Sequence, residues 1–217
     1  MFGFVIPNVV FAATKQIVCL NSRDGYVEQY QSNWCWAATG LNAFIAIYRY
    51  KPYSKSDRAF LLDLVKDVAR TNRLQTVLGN NDYERYDIQA GLWATADIAS
   101  DLLYNNGYRR LYYEVSKAAN GGLVVRSFNY IMNDLEYGCP VAVWLSPIAA
   151  SSNRYNHIVL INGADSMWNN VEDYDVRMFD SERGSNIWVP YIDLKQGTSG
   201  RLNFKKYDGT CEYAGRF

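Results

Sequence analysis

The feature that most constrains this chain is a change of hydrophobic period near its middle. Before Gly138-Cys139-Pro140 the apolar residues recur at helical spacing; after it they fall in short stretches bounded by Gly, Asn, Asp and Ser. Ala37, Leu41, Phe44, Ile45 and Tyr48 share one face of a helix over residues 35–50. Ser56-Asp57 offers an N-cap to a second helix through Phe60, Leu61, Leu64 and Val68, stopping near Asn72. A third helix fits residues 88–104, closed by Asn105-Asn106-Gly107. After a short strand at 111–115, a fourth covers about 124–135. Strands then fit 140–145, 157–162, 174–179, 187–191 and 201–207. Helices first and strands second is an α+β pattern, not an alternating parallel sheet. At 217 residues the expectation is one domain, 1–217, with a helical lobe over about 15–120 and a β-rich lobe over about 121–217.

Twenty-two basic residues balance twenty-two acidic ones. A zero net charge removes the electrostatic case for nucleic acid or an anionic membrane as partner, since both need a basic excess. No uncharged apolar run approaches the ~20 residues of a membrane span. Residues 1–14 carry no charge. They read either as a secretory leader, with Val10-Phe11-Ala12 as its small-residue end, or as an N-terminal strand; Pro7 and the missing basic start weigh against the leader.

The chemistry is narrowed by one histidine and four cysteines. Cys19, Cys35, Cys139 and Cys211 contain no C-x-x-C pair, so no zinc site is expected, and no Gly-rich phosphate loop occurs. Asp82, Glu84 and Asp87 read as a solvated acidic loop rather than a calcium site. Cys139 reads as a small core residue, and Cys19 and Cys211 as a disulfide closing the chain if the protein is exported. Cys35 would open the first helix, where unpaired N–H groups and the dipole favour a thiolate; a thiol buried between Trp34 and Trp36 fits the pattern equally. His157 is the one side chain whose ordinary pKa suits general-base work, and Asp180, at the end of the following strand, is set to hold its ring. Trp36 and Trp188 read as core, with Trp188 placed to shield the His–Asp pair.

Gln29-x-x-x-Asn33-Trp34-Cys35-Trp36-Ala37-Ala38 resembles the nucleophile segment of papain-like cysteine peptidases. The Cys-Trp-Ala-Ala form is similar to bacterial members, the avirulence-type effector proteases and the staphopain-like group. Gly138-Cys139-Pro140-Val141 resembles their Gly-x-Pro-Val strand, and Asn156-His157-Ile158-Val159-Leu160-Ile161-Asn162-Gly163-Ala164-Asp165 their histidine strand. Asp180-Ser181-x-x-Gly184 resembles the turn of the third member. The matches run from about residue 16 to 195 in the order Gln, Cys, His, Asp; the Cys-Gly-Ser/Ala-Cys signature of plant and lysosomal members is absent, and residues 51–120 match nothing.

The resemblance implies a papain-like two-lobe fold with the site in the cleft between the lobes. It implies a thiol protease with Cys35 as nucleophile, His157 as acid–base, Asp180 as orienter and Gln29 as oxyanion donor, with Gln31 as the fallback. Neither cofactor nor metal is required. The expected partner is a protein or peptide substrate, and the expected setting a secreted or translocated effector with a part in virulence. The same residues would equally serve deamidation or transglutamination of a protein glutamine, or other amide hydrolysis; a non-catalytic interaction module is the third reading.

Overall fold

The computed structural model describes residues 15–19, 25–148, 156–166, 174–202 and 205–214. The chain is α+β, a single antiparallel sheet between two layers of helices. Six helices are described: α1 (Cys35–Tyr48), α2 (Asp57–Thr71), α3 (Asp82–Arg85), α4 (Leu92–Asn105), α5 (Phe128–Glu136) and α6 (Tyr191–Gln196). The strands are β1 (Lys15–Val18), β2 (Tyr113–Val115), β3 (Val141–Pro147), β4 (His157–Ser166), β5 (Tyr174–Asp180), β6 (Ser185–Pro190) and β7 (Lys205–Tyr213). They are ordered β2-β7-β3-β4-β5-β6, with β1 also pairing with β4. Residues 1–14, read as leader or strand, lie outside the described residues.

Strand alternation divides the core. Val141, Val143, Leu145, Val159 and Ile161 face α5 and α6, while Ala142, Ile158, Leu160 and Phe179 face α1, α2 and α4. Both faces are covered, which is why β3 and β4 read as continuous apolar runs rather than alternating ones. On the helical side α1 is the central element, buried without a break from Cys35 to Ala46. Gly40 lets it approach α4: a Cβ there would lie 2.8 Å from the Thr95 carbonyl oxygen and 3.0 Å from Ile98. Any larger residue forces the two helices apart.

Several boundaries differ from the sequence pattern for identifiable reasons. Ser56 caps α2 by accepting from the Ala59 N–H, as its type suggests. The third helix starts at Leu92, not 88, because Asp87 and Ile88 are held against the turn that precedes α1. The fourth starts at Phe128, where Ser127 accepts from the Tyr130 N–H. The expected strand at 201–207 is replaced at its start by a 3-10 turn, Gly200–Leu202, and β7 instead runs on to Tyr213, where it pairs with β3 and β2. Among the described residues no helix is long and apolar enough to cross a membrane.

Candidate active site

The site lies where α1 begins beside the start of β4. The Thr39 hydroxyl, one turn into α1, donates to the Ile158 carbonyl at 3.1 Å, which fixes the helix against the strand one residue past His157. Because β4 and β5 are antiparallel, with Leu160 opposite Phe179, the last residue of β5 arrives within two positions of the start of β4. That brings together His157 and Asp180, 23 residues apart in the chain, with His157 Nε2 2.8 Å from Asp180 Oδ1. Both residues are buried. Nε2 being taken, Nδ1 is the ring atom left to meet the Cys35 thiol, and it is buried with no nitrogen or oxygen partner. Cys35 keeps 8% of its surface exposed and His157 3%, so both are buried, the cysteine slightly less.

Burial works against a charged imidazole, but its bonds to Asp180 and Cys35 and the charges of both outweigh burial, and the pKa of His157 rises to about 9. Asp180 shows the complementary effect. Burial pushes its carboxyl up, yet the His157 bond and charge, the Glu182 N–H at 3.0 Å and the Arg183 guanidinium hold it below its ordinary value. Proton and charge are thus stored on the ring and the carboxylate respectively at neutral pH.

Three groups of contacts position the segment before Cys35. Asn42, fully buried in α1, accepts from the Val27 N–H at 2.7 Å and donates to the Val27 carbonyl at 2.9 Å, clasping the extended stretch that leads to Gln29. Gln29 is then tied to the turn after Asp180: its N–H donates to the Ser181 carbonyl at 3.0 Å, and its side-chain oxygen accepts from the Ser181 hydroxyl at 3.0 Å. Its Nε2 donates to the carbonyls of Gln31 and Ser32, at 3.3 and 3.2 Å, in the turn that delivers Cys35. Gln31 contributes its backbone carbonyl there, and also accepts from the Trp34 N–H. Of the two glutamines, Gln29 is the one bonded to both the aspartate turn and the cysteine turn.

Asp87 closes the same loop from the other side. Its carboxylate accepts from the Ser32 hydroxyl and the Asn33 N–H, both at 3.0 Å, while the Trp34 and Trp36 indoles donate to the carbonyls of Tyr86 and Ile88, both at 2.8 Å. The acidic loop expected to be merely solvated therefore contains α3 and a half-buried clamp on the turn before Cys35. Gly184, at φ +59, makes the turn after Asp180, and a Cβ there would run into the Glu28 side chain. Trp188 does not cover the His–Asp pair. It stands opposite Arg177, three residues back along β5 from Asp180, and lines a cavity with Arg177, Phe179 and Asn186.

Lys205 is a further charged residue the sequence pattern did not single out. It opens β7, is buried, and interacts electrostatically with Glu182, Asp180 and Cys35; burial lowers the pKa of its amine. A lysine in an alternating strand reads as solvent-facing, so no local signal marks it. His157, Asp180 and Glu182 also bring ligand-type atoms within 4.8 Å of one another, but the short Nε2–Oδ1 bond already joins two of the three. All four cysteines are free thiols, so Cys19 and Cys211 are not bridged. Burial raises the pKa of Cys19 and Cys139 to about 12 and holds Cys211 higher still, which keeps these three protonated at neutral pH and slow to react.

Asn42→Ala tests how much the Val27 clasp carries. It leaves a buried N–H and a buried carbonyl without partners, and we expect a loss of roughly 2–4 kcal/mol in denaturant unfolding. No family model matches the chain, and no curated protein matches its sequence.

Proposed function

We propose that the protein is a cysteine peptidase in which Cys35, His157 and Asp180 act as a triad and Gln29 lies at the oxyanion hole. The observation that carries this reading is the enclosed His157–Asp180 pair whose free ring nitrogen meets a thiol at the first turn of a buried helix. In this mechanism the Cys35 sulfur attacks the carbonyl carbon of a peptide bond while the imidazolium waits with its proton. The developing oxyanion takes the Cys35 N–H, unpaired within the helix, and the Gln29 amide, which turns from the loop carbonyls it now bonds. Collapse of the tetrahedral species transfers the His157 proton to the leaving amine and leaves a thioester. Water, deprotonated by His157, then hydrolyses the thioester and regenerates the thiol. Asp180 fixes the ring throughout.

A peptide substrate is favoured over a free small amide by a cavity of about 320 Å³ lined by Leu92, Trp93, Val115, Leu123 and Trp144, almost wholly apolar. Trp144 stands opposite Ile158, the residue after His157, and packs against the same helical-side core that includes Cys35, so the cavity opens on the face of the sheet that carries the thiol. An apolar side chain of the substrate fits it. Leu123→Asp is expected to lower kcat/KM at least 10-fold on peptides with a large apolar residue, about the ~1.4 kcal/mol of one misplaced charge on that surface. Alkylation of Cys35 should be untouched.

The deciding experiment is incubation with an unfolded protein mixture followed by mass spectrometry of the products. Chain cleavage blocked by iodoacetamide at Cys35 is the expected result. Masses showing glutamine deamidation or crosslinking without cleavage would replace the peptidase reading by acyl transfer to water or amine at a side chain. A protein that neither cleaves nor labels at Cys35 under reducing conditions is not an enzyme of this kind.

A further inference from the structure

We propose that Cys19 and Cys139 form a redox pair, a reversible disulfide that fastens the N-terminal strand to the turn after α5. The argument starts from strand register. β1 and β3 run along the same edge of β4, end to end: Val18 stands opposite Gly163, the Cys19 N–H continues the ladder to the Asn162 carbonyl at 2.8 Å, and Val141 begins β3 opposite Ile161. The chain leaving β1 thus abuts the chain entering β3. Cys139, two residues before β3, arrives beside Cys19.

Local contacts agree. The Cys19 thiol donates to the Leu135 carbonyl and the Cys139 thiol to the Tyr137 carbonyl, each at 3.9 Å, so both sulfurs border the same turn. Cys19 also interacts electrostatically with Cys139, and with neither Cys35 nor Cys211 among its principal charged neighbours. Cys211 is placed differently, in mid-strand opposite Val115 and Ala142, with Glu212, Asp97 and Glu114 as its charged surroundings. Access is from one side. A cavity of about 270 Å³ is lined by Cys19, Arg49, Leu135 and Gly138, and Cys19 is half-buried where Cys139 is buried. Cys19 lines that cavity and is the less buried of the two, which makes it the entry point.

The oxidant is a small disulfide such as oxidised glutathione. The Cys19 thiolate attacks one of its sulfurs, forming a mixed disulfide and expelling one glutathione thiolate. The Cys139 thiolate then attacks the Cys19 sulfur, closing the protein disulfide and expelling the second. The two protons lost by the cysteines end on the two glutathione thiols, and the protein gives up two electrons. Buried, protonated thiols make this slow, over hours rather than minutes.

The test is to incubate the full chain with oxidised glutathione at pH 8.5, quench with N-ethylmaleimide, and map peptides without reduction. The expected product is a single crosslink between Cys19 and Cys139 with Cys211 unmodified. The oxidised protein should melt about 5–10 °C higher than the reduced one, since the bond closes a loop of more than a hundred residues. Cys19→Ser should abolish the crosslink and the shift, and Cys139→Ser should stop at glutathione carried on Cys19. Finding Cys19 and Cys139 both unmodified after exhaustive treatment of folded protein, or Cys19 joined to Cys211, overturns the proposal. So does a mixed disulfide on Cys19 that persists in the unsubstituted chain. None of these results depends on Cys35 being catalytic.

Discussion

Cys35→Ala will abolish peptide hydrolysis, lowering kcat by roughly 10⁵- to 10⁶-fold, as loss of a nucleophile does elsewhere. It will also remove rapid iodoacetamide incorporation at neutral pH, because burial keeps the other three thiols protonated and slow to react. The substitution removes a single sulfur atom and leaves a strong helix former at the first residue of α1, so thermal unfolding should be little changed. Combined with His157→Ala it should cost no more than either alone. Thiol and imidazole act as one unit, and removing half of it already removes the function. Residual hydrolysis above about 1% in Cys35→Ala would mean that another group attacks the substrate and the triad reading fails.

Asp180 gives the second large effect, and its two simplest replacements should behave differently. Alanine removes the acceptor at His157 Nε2 and frees the ring to turn, costing about 10³- to 10⁴-fold in kcat. Asparagine keeps an oxygen at the same place but removes the negative charge, so the ring stays oriented and loses part of what raises its pKa. The expected result is a smaller loss with an alkaline limb shifted to lower pH. In the unsubstituted protein activity should fall as pH rises through about 9, where the imidazolium is lost. Stability follows the same sign. The His157 pKa rises on folding from 6.5 to about 9, so its contribution is complete below pH 6.5 and is lost as pH climbs through 9. Asp180, depressed from 3.8, contributes above that pH and fails as pH falls through its folded value. Denaturant midpoints measured from pH 3 to 10 and compared with Asp180→Asn check both limbs.

The parts of this structure legible in sequence are those where side-chain pattern and burial agree. α1 and α2 declared themselves through apolar spacing and a serine cap, and β3, β4 and β5 through short apolar runs ending in polar turns. Cys35, His157 and Asp180 stood at the ends of those elements, which is why they could be named without coordinates. Residues acting against their type stayed hidden. Asp87 looked like one acid in a wet loop but accepts two donors from the nucleophile turn; Lys205 looked exposed and is buried. α6 is six residues with only Tyr191 and Leu194 buried, too short to show a helical period. Asn42 and Ser181 serve backbone and amide partners far away in sequence, and no local pattern encodes such a partner.

The ties between Gln29 and Ser181 join positions 152 residues apart, and Lys205 enters from later still. During synthesis α1 therefore emerges well before the strands that bring His157, Asp180 and Ser181, and the contacts that join them close only after most of the intervening chain has been made.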